Sequence, residues 1–290
     1  MEIKIDRMEL ADIAQPSLLA KAVLNQLGTA IFPIPVEAIA LGSGITEIRE
    51  HETDSFEGML LTDAAKDCGA IIVRRSNSPT RPRFTIAHEL GHFLNPWHRP
   101  SGEGFRCSKS DMSERDTKNA RAQFRVEAEA NRFATELLMP TGEFRKRLGK
   151  FGPDLERLEK LTGDFGVSKL AASRRIVELS EECALVVSHL DRIEYVIRNE
   201  SAPYLSTWIG QPLPRDSISM RFNGELSPME DVEPCTWLKT APRDGAALYE
   251  QVLVQGAGRK LTLLVYDISE CEDDEEEEIN ARARFEPRFR

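Results

Sequence analysis

Cysteine is scarce and scattered: Cys68, Cys107, Cys183, Cys235 and Cys271 are odd in number and none lies in a C-x-x-C pair. That excludes a cysteine-rich zinc knuckle and argues against a disulfide framework, leaving reduced thiols as the expectation. No apolar run is long enough to span a bilayer. The first residues, Met1-Glu2-Ile3-Lys4-Ile5-Asp6-Arg7, lack the apolar stretch of a secretory signal, so a cytoplasmic address without a membrane partner is expected. A broad basic stripe is also missing, which makes nucleic acid a weak candidate partner. The formal net charge is −10. Most of it comes from one run, Glu270 to Glu278, in which every residue but Cys271 is acidic. That run is expected to be a solvated, disordered tail, followed by four arginines and one glutamate in Ala281 to Arg290. What remains, 41% hydrophobic in a chain of 290 residues, is ordinary globular material with enough length for two or three domains.

The chemistry is concentrated in Phe84-Thr85-Ile86-Ala87-His88-Glu89-Leu90-Gly91-His92-Phe93-Leu94. On a helix, residues four apart share a face, so His88 and His92 can both reach one Zn²⁺. Glu89 follows the first histidine, where its carboxylate can act as general base on a water molecule. Leu90 and Gly91 are apolar or small, and Gly91 permits close approach by a neighbouring helix. A catalytic zinc needs a third protein ligand. The downstream helix Val126 to Leu138 offers two carboxylates, Glu127 and Glu129. Its apolar stripe is Val126, Ala130, Phe133, Ala134, Leu137 and Leu138, and Glu127 lies about 65° from the centre of that stripe against about 95° for Glu129. The geometry favours Glu127, with Glu129 as a solvent-facing charge. Asn131 lies one turn beyond Glu127, where its side-chain oxygen could accept the second ring N–H of a ligating histidine.

Around these helices the pattern is mixed. Pro16 to Leu27 and Pro35 to Leu41 have helical spacing, and Ile45 to Arg49, Phe56 to Leu61 and Ala70 to Arg74 read as strands of a small sheet. A strand from residues 56–74 could offer an open edge to an extended substrate. The signature helix is expected to start at Thr85 or just before it. Asn95 to Ala120 reads as a long loop, and helical spacing returns from Ala122 to Met139, stopped by Pro140, with a short helix after it. Asp154 to Phe165, Gly166-Val167-Ser168, and Lys169 to Leu179 read as helix, turn and helix. From Cys183 onward alternation takes over, with hairpins predicted at Asp191-Arg192 and around Gln255 to Arg259.

His-Glu-Leu-Gly-His at 88–92, with Glu127-x-x-Ala130-Asn131-x-Phe133-Ala134-x-Glu136-Leu137-Leu138-Met139-Pro140, resembles the ImmA/IrrE family of zinc metallopeptidases. The likeness is specific in this double motif and extends more weakly over residues 16–180. It implies a gluzincin-like, thermolysin-related site holding one Zn²⁺, with His88, His92 and Glu127 as ligands and Glu89 as general base. It also implies a protein substrate, typically a transcriptional repressor or other helix-turn-helix partner, in regulatory, stress or mobile-element responses. It says little about residues 183–290.

The resulting expectation is an α+β protein. A mainly helical zinc-peptidase domain with a small sheet occupies residues 1–150, and a helix-turn-helix-like segment 151–182. A mostly antiparallel β domain for sensing or partner binding spans 183–268, with the acidic-then-basic tail at 269–290. His98 is a candidate for stabilising the oxyanion, and Cys107, in the same loop, for closing over the metal as a regulatory thiolate. The alternative to a zinc endopeptidase is a DNA-binding transcriptional regulator with a non-catalytic metal site, in which Lys169, Arg174 and Arg175 would carry the binding helix.

Overall fold

The computed structural model describes residues 3–28, 31–100, 104–107, 117–149, 152–181, 183–199, 201–240 and 247–267. The tail at 269–290 lies outside the described residues. The fold is α+β, and the described residues fall into two compact units, one within 1–147 plus 160–168 and the other within 148–159 plus 169–290.

In the first unit, α1 (Pro16–Gln26) and α2 (Val36–Gly42) lead into a sheet of β1 (Ile45–His51), β2 (Gly58–Thr62) and β3 (Gly69–Arg74), followed by α3 (Thr80–Leu94). Helix α1 opens on a proline at its first position, where no N–H is needed. Helix α3 begins five residues before the expected Thr85, because Pro82 falls in its first turn and is tolerated there. The segment expected to be a long loop contains a fourth strand, β4 (Gly104–Cys107), and α4 (Thr117–Leu138) starts a turn earlier than its periodicity indicated.

The sheet order is β1-β3-β2-β4, with β1 parallel to β3 and the other pairings antiparallel. This corrects the expectation of an open edge within 56–74. Both β2 and β3 are interior, and the edges of the sheet are β1 and β4. Strand β4 escaped notice because its four residues are too few to carry a period, and only pairing with β2 makes it a strand.

Helix α3 lies against β2, β3, α2 and α4, and every residue from Thr85 to Leu94 is buried. Leu60 and Ile71 from the sheet and Ile86, Leu90 and Phe93 from the helix fill the layer between them, each stabilising the fold by about 1.5–3 kcal/mol relative to exposure. On the other side α4 presents Ala130, Phe133, Ala134 and Leu137, all fully buried or nearly so. The two helices approach closely at Gly91, where an added β-carbon would stand 3.0 Å from the Phe133 ring. Arg83 ties the start of α3 down by donating to the Ile34 and Gly166 carbonyls. At the end of α4, buried Glu136 accepts from the Thr141 N–H and hydroxyl, which fixes the entry to α5 (Thr141–Leu148).

Helix α6 (Leu158–Phe165) and α7 (Lys169–Leu179) follow, joined through Gly166, whose φ of +62 suits a residue without a β-carbon. In the second unit, α7 packs on β5 (Cys183–His189) and β6 (Arg192–Arg198). The β5–β6 turn is Leu190-Asp191, both at positive φ, one residue earlier than expected. Chain segments 201–240 contribute α8 (Ile218–Arg221) and β7 (Glu230–Asp231). Strands β8 (Ala247–Gln255) and β9 (Arg259–Asp267) complete an antiparallel sheet of order β6-β5-β9-β8-β7. Its core gathers around fully buried Trp237, whose indole N–H donates to buried Glu250.

The cations of α7 are engaged within this unit. Lys169 pairs with Glu159 at 2.9 Å, Arg174 lies over the Tyr195 ring, and buried Arg175 pairs with Glu178 at 2.8 Å. Among the described residues no helix is long and apolar enough to cross a membrane.

Gly91→Val is expected to force α3 and α4 apart and destabilise the protein by about 1–3 kcal/mol. A urea titration should show the midpoint falling accordingly.

Candidate metal centre

Two helices build the centre. From α3, one turn apart, come His88 and His92, with side chains 9% and 0% exposed. From α4 comes Glu127, with Asn131 one turn further along the same face. The ligand atoms of His88, His92 and Glu127 all lie within 4.8 Å of one another. His88 Nε2 stands 3.1 Å from His92 Nε2 and 3.1 Å from Glu127 Oε2, and His92 Nε2 is 3.5 Å from Glu127 Oε1.

The far side of each ring has its own partner. His88 Nδ1 donates to Asn131 Oδ1 at 3.0 Å, so in the neutral ring the lone pair lies on Nε2. His92 Nδ1 lies 3.0 Å from His98 Nδ1, and His98 Nε2 lies 3.1 Å from Glu129 Oε2. The structure thus places His98 in the interior, 1% exposed, on the side of His92 facing away from Glu127. Only the backbone of Cys107 is described; it ends β4 opposite Gly58.

Electrostatics favour a cation at this point. Burial opposes charge on Glu127, but its close contacts with His88 and His92 overcome it and hold the carboxyl well below its usual range. Burial pushes His92 down to about 4, so its imidazole is neutral at pH 7. Burial also works against a charged His88, yet its contact with Glu127 and the Glu89 and Glu127 carboxylates raise it above its ordinary value. An anionic carboxylate and imidazole lone pairs facing one another are the forms a metal requires, and the same field that attracts a proton attracts a divalent ion. The spacing fits as well. Ligands bound at about 2.0–2.2 Å in a tetrahedron are about 3.3–3.6 Å apart, near the three separations here.

Glu89 is fully buried on α3. Its place depends on Gly58: a β-carbon there would overlap Glu89 Oε1 and come within 2.5 Å of Thr85 Cγ2. The carboxylate therefore lies against the backbone of β2, next to the strand pair β2–β4. Phe105 of β4 stacks on the His92 ring, with centroids 4.6 Å apart and planes inclined by 19°.

Lys66, which no motif marks, is 7% exposed in a turn at φ +55. Its Nζ donates to the carbonyls of His92 at 2.6 Å and Asn95 at 2.8 Å, satisfying acceptors at the end of α3. Burial, aided by the charges of Arg99 and Arg7, lowers its pKa to about 8. Neither Lys66 nor Gly58 was found by sequence reasoning, since each acts through contacts with a helix more than twenty residues away.

A histidine pair on a buried helix, completed by a carboxylate from the next helix and beside a second carboxylate, marks the metallopeptidase class. The family comparison agrees: residues 47–177 match the model Peptidase_M78, IrrE N-terminal-like domain, so this segment is a domain of the ImmA/IrrE family. Comparison with curated proteins finds no match.

Gly58→Ala is expected to turn the Glu89 carboxylate aside without disturbing the three donors. Bound zinc, counted by elemental mass spectrometry, should match the parent protein, while peptide hydrolysis falls by about 10²–10⁴-fold.

Proposed function

We propose that the protein is a zinc-dependent endopeptidase of the cytoplasm, cutting one peptide bond in a protein partner. The observation that carries this reading is the triangle of His88 Nε2, His92 Nε2 and Glu127 carboxylate oxygens, with separations near 3.1–3.5 Å, beside buried Glu89. His88, His92 and Glu127 would hold one Zn²⁺. A Zn²⁺ bound there would supply Lewis acidity for the scissile carbonyl and for a water molecule. Glu89 takes the proton of the attacking water and returns it to the leaving nitrogen. Asn131 keeps His88 in the tautomer whose Nε2 lone pair faces Glu127. Phe105 covers one face of the His92 ring, and the β2 backbone lies against the Glu89 carboxylate.

A helix-turn-helix repressor as the partner follows from the family likeness, in which the regulated step is removal of a repressor. In this reading the C-terminal unit serves sensing or partner binding: its described residues hold no cluster of metal-ligating side chains, and Tyr204, Trp208 and Ile209 are exposed. A DNA-binding regulator with an idle metal site draws less support, because Lys169, Arg174 and Arg175 already have partners within the unit.

The test is incubation of the protein with purified helix-turn-helix repressors, beginning with any encoded beside its gene. Site-specific cleavage is expected to stop on chelation and to fall by about 10²–10⁴-fold in Glu89→Gln, with zinc content unchanged. His92→Ala should lose the zinc itself, by more than about 100-fold in affinity. Cleavage at the parental rate by Glu89→Gln would refute the mechanism.

A further inference from the structure

We infer that His98 and Glu129 are positioning residues for His92: together they fix which ring nitrogen of His92 carries the hydrogen and hold its Nε2 towards the cation. This rests on the zinc reading above and adds a function for two residues which that mechanism leaves unused.

The hydrogen positions follow from the ends of the chain of contacts. A carboxylate accepts only, so His98 Nε2, 3.1 Å from Glu129 Oε2, carries a hydrogen and donates it. Neutral His98 then has its lone pair on Nδ1. That lone pair faces His92 Nδ1 at 3.0 Å, so His92 Nδ1 is the donor and His92 Nε2 is bare. The bare nitrogen is the one pointing at His88 Nε2 and Glu127. With the opposite tautomer at His98, two lone pairs would meet at Glu129, and His92 would have to turn its N–H into the metal centre.

The backbone after α3 is built to deliver His98 to this point. Asn95 N–H bonds to the Gly91 carbonyl, Asn95 Nδ2 to the Ala14 carbonyl, and the Trp97 N–H to Asn95 Oδ1. The His98 N–H then donates to the Asn95 carbonyl, which Lys66 also holds. The result is a reversal that brings residue 98 back onto residue 92, with ring centroids 5.0 Å apart. Phe105 stacks on the His92 ring as well. The two histidine ligands are thus supported differently. His88 leans on a neutral amide, whereas His92 connects through a second imidazole to a carboxylate.

Zinc affinity is measured by competition with a chromophoric chelator, and ring tautomers by long-range ¹H–¹⁵N NMR, on the full chain. His98→Phe is expected to weaken zinc binding by about 10–100-fold while circular dichroism reports an intact fold. His98→Asn can again accept from His92 Nδ1–H, as Asn131 does at His88, and should recover most of that loss. The NMR spectra should place hydrogen on His92 Nδ1 and His98 Nε2. If His98→Phe does not fold, Glu129→Ala probes the same chain from its partly exposed end and should weaken binding by about threefold or more. A parent protein that takes up no zinc overturns both the metal reading and this inference. One that takes up zinc, but with unchanged affinity in the folded variants or with hydrogen on His92 Nε2, overturns this inference alone.

Discussion

The close crossing of α3 and α4 at Gly91 and Phe133 sets the position of everything else in the centre. Without a side chain at residue 91, Phe133 packs directly on the α3 backbone, and the separation of the two helices becomes short enough for Glu127 to reach both imidazoles. The imidazoles have little freedom to accommodate an error, because α3 is buried along its whole second half. Apolar packing on both faces of the helix therefore holds the three donor groups within reach of one cation.

Polar contacts refine what packing makes possible. Asn131 and the His98–Glu129 pair each accept a hydrogen, directly or in relay, from the outer nitrogen of one histidine. Lys66 neutralises the carbonyl-rich end of α3 from a turn between β2 and β3, and Gly58 leaves room for the Glu89 carboxylate against β2. The small sheet is thus more than a platform. Its first interior strand leaves room for the Glu89 carboxylate, the turn after that strand caps the signature helix, and its edge strand supplies the ring stacked on His92. The second unit holds its own core around Trp237 and Glu250, and among the described residues the donor set comes from the first unit.

Much of this was legible because helical spacing converts directly into geometry. Residues 88 and 92 must share a face, and so must 127 and 131, whatever the rest of the chain does. The preference for Glu127 over Glu129 came from the angle each makes with the apolar stripe, and the two carboxylates do point to different partners, His88 with His92 in one case and His98 in the other. Gly91 was readable for the same reason, as a gap on a helix that had to be packed. Strand β4 was not, since four residues carry no period, and the interior status of β2 depended on that strand. His98 pointed to the site by residue type alone, and its side of the His92 ring could not be known before the Asn95 turn was seen.

The sequence by itself determined which side chains stand together on each helix, because that depends on local backbone geometry repeated every few residues. It also determined the family of residues 47–177 through a double motif that few other chemistries require. Tertiary structure decided how the two helices face each other, which nitrogen of each imidazole is bare, where the sheet ends, and that a lysine and a glycine far from the motif hold it in place. Those features arise from contacts between segments distant along the chain, and no local period encodes the distance at which two such segments finally pack.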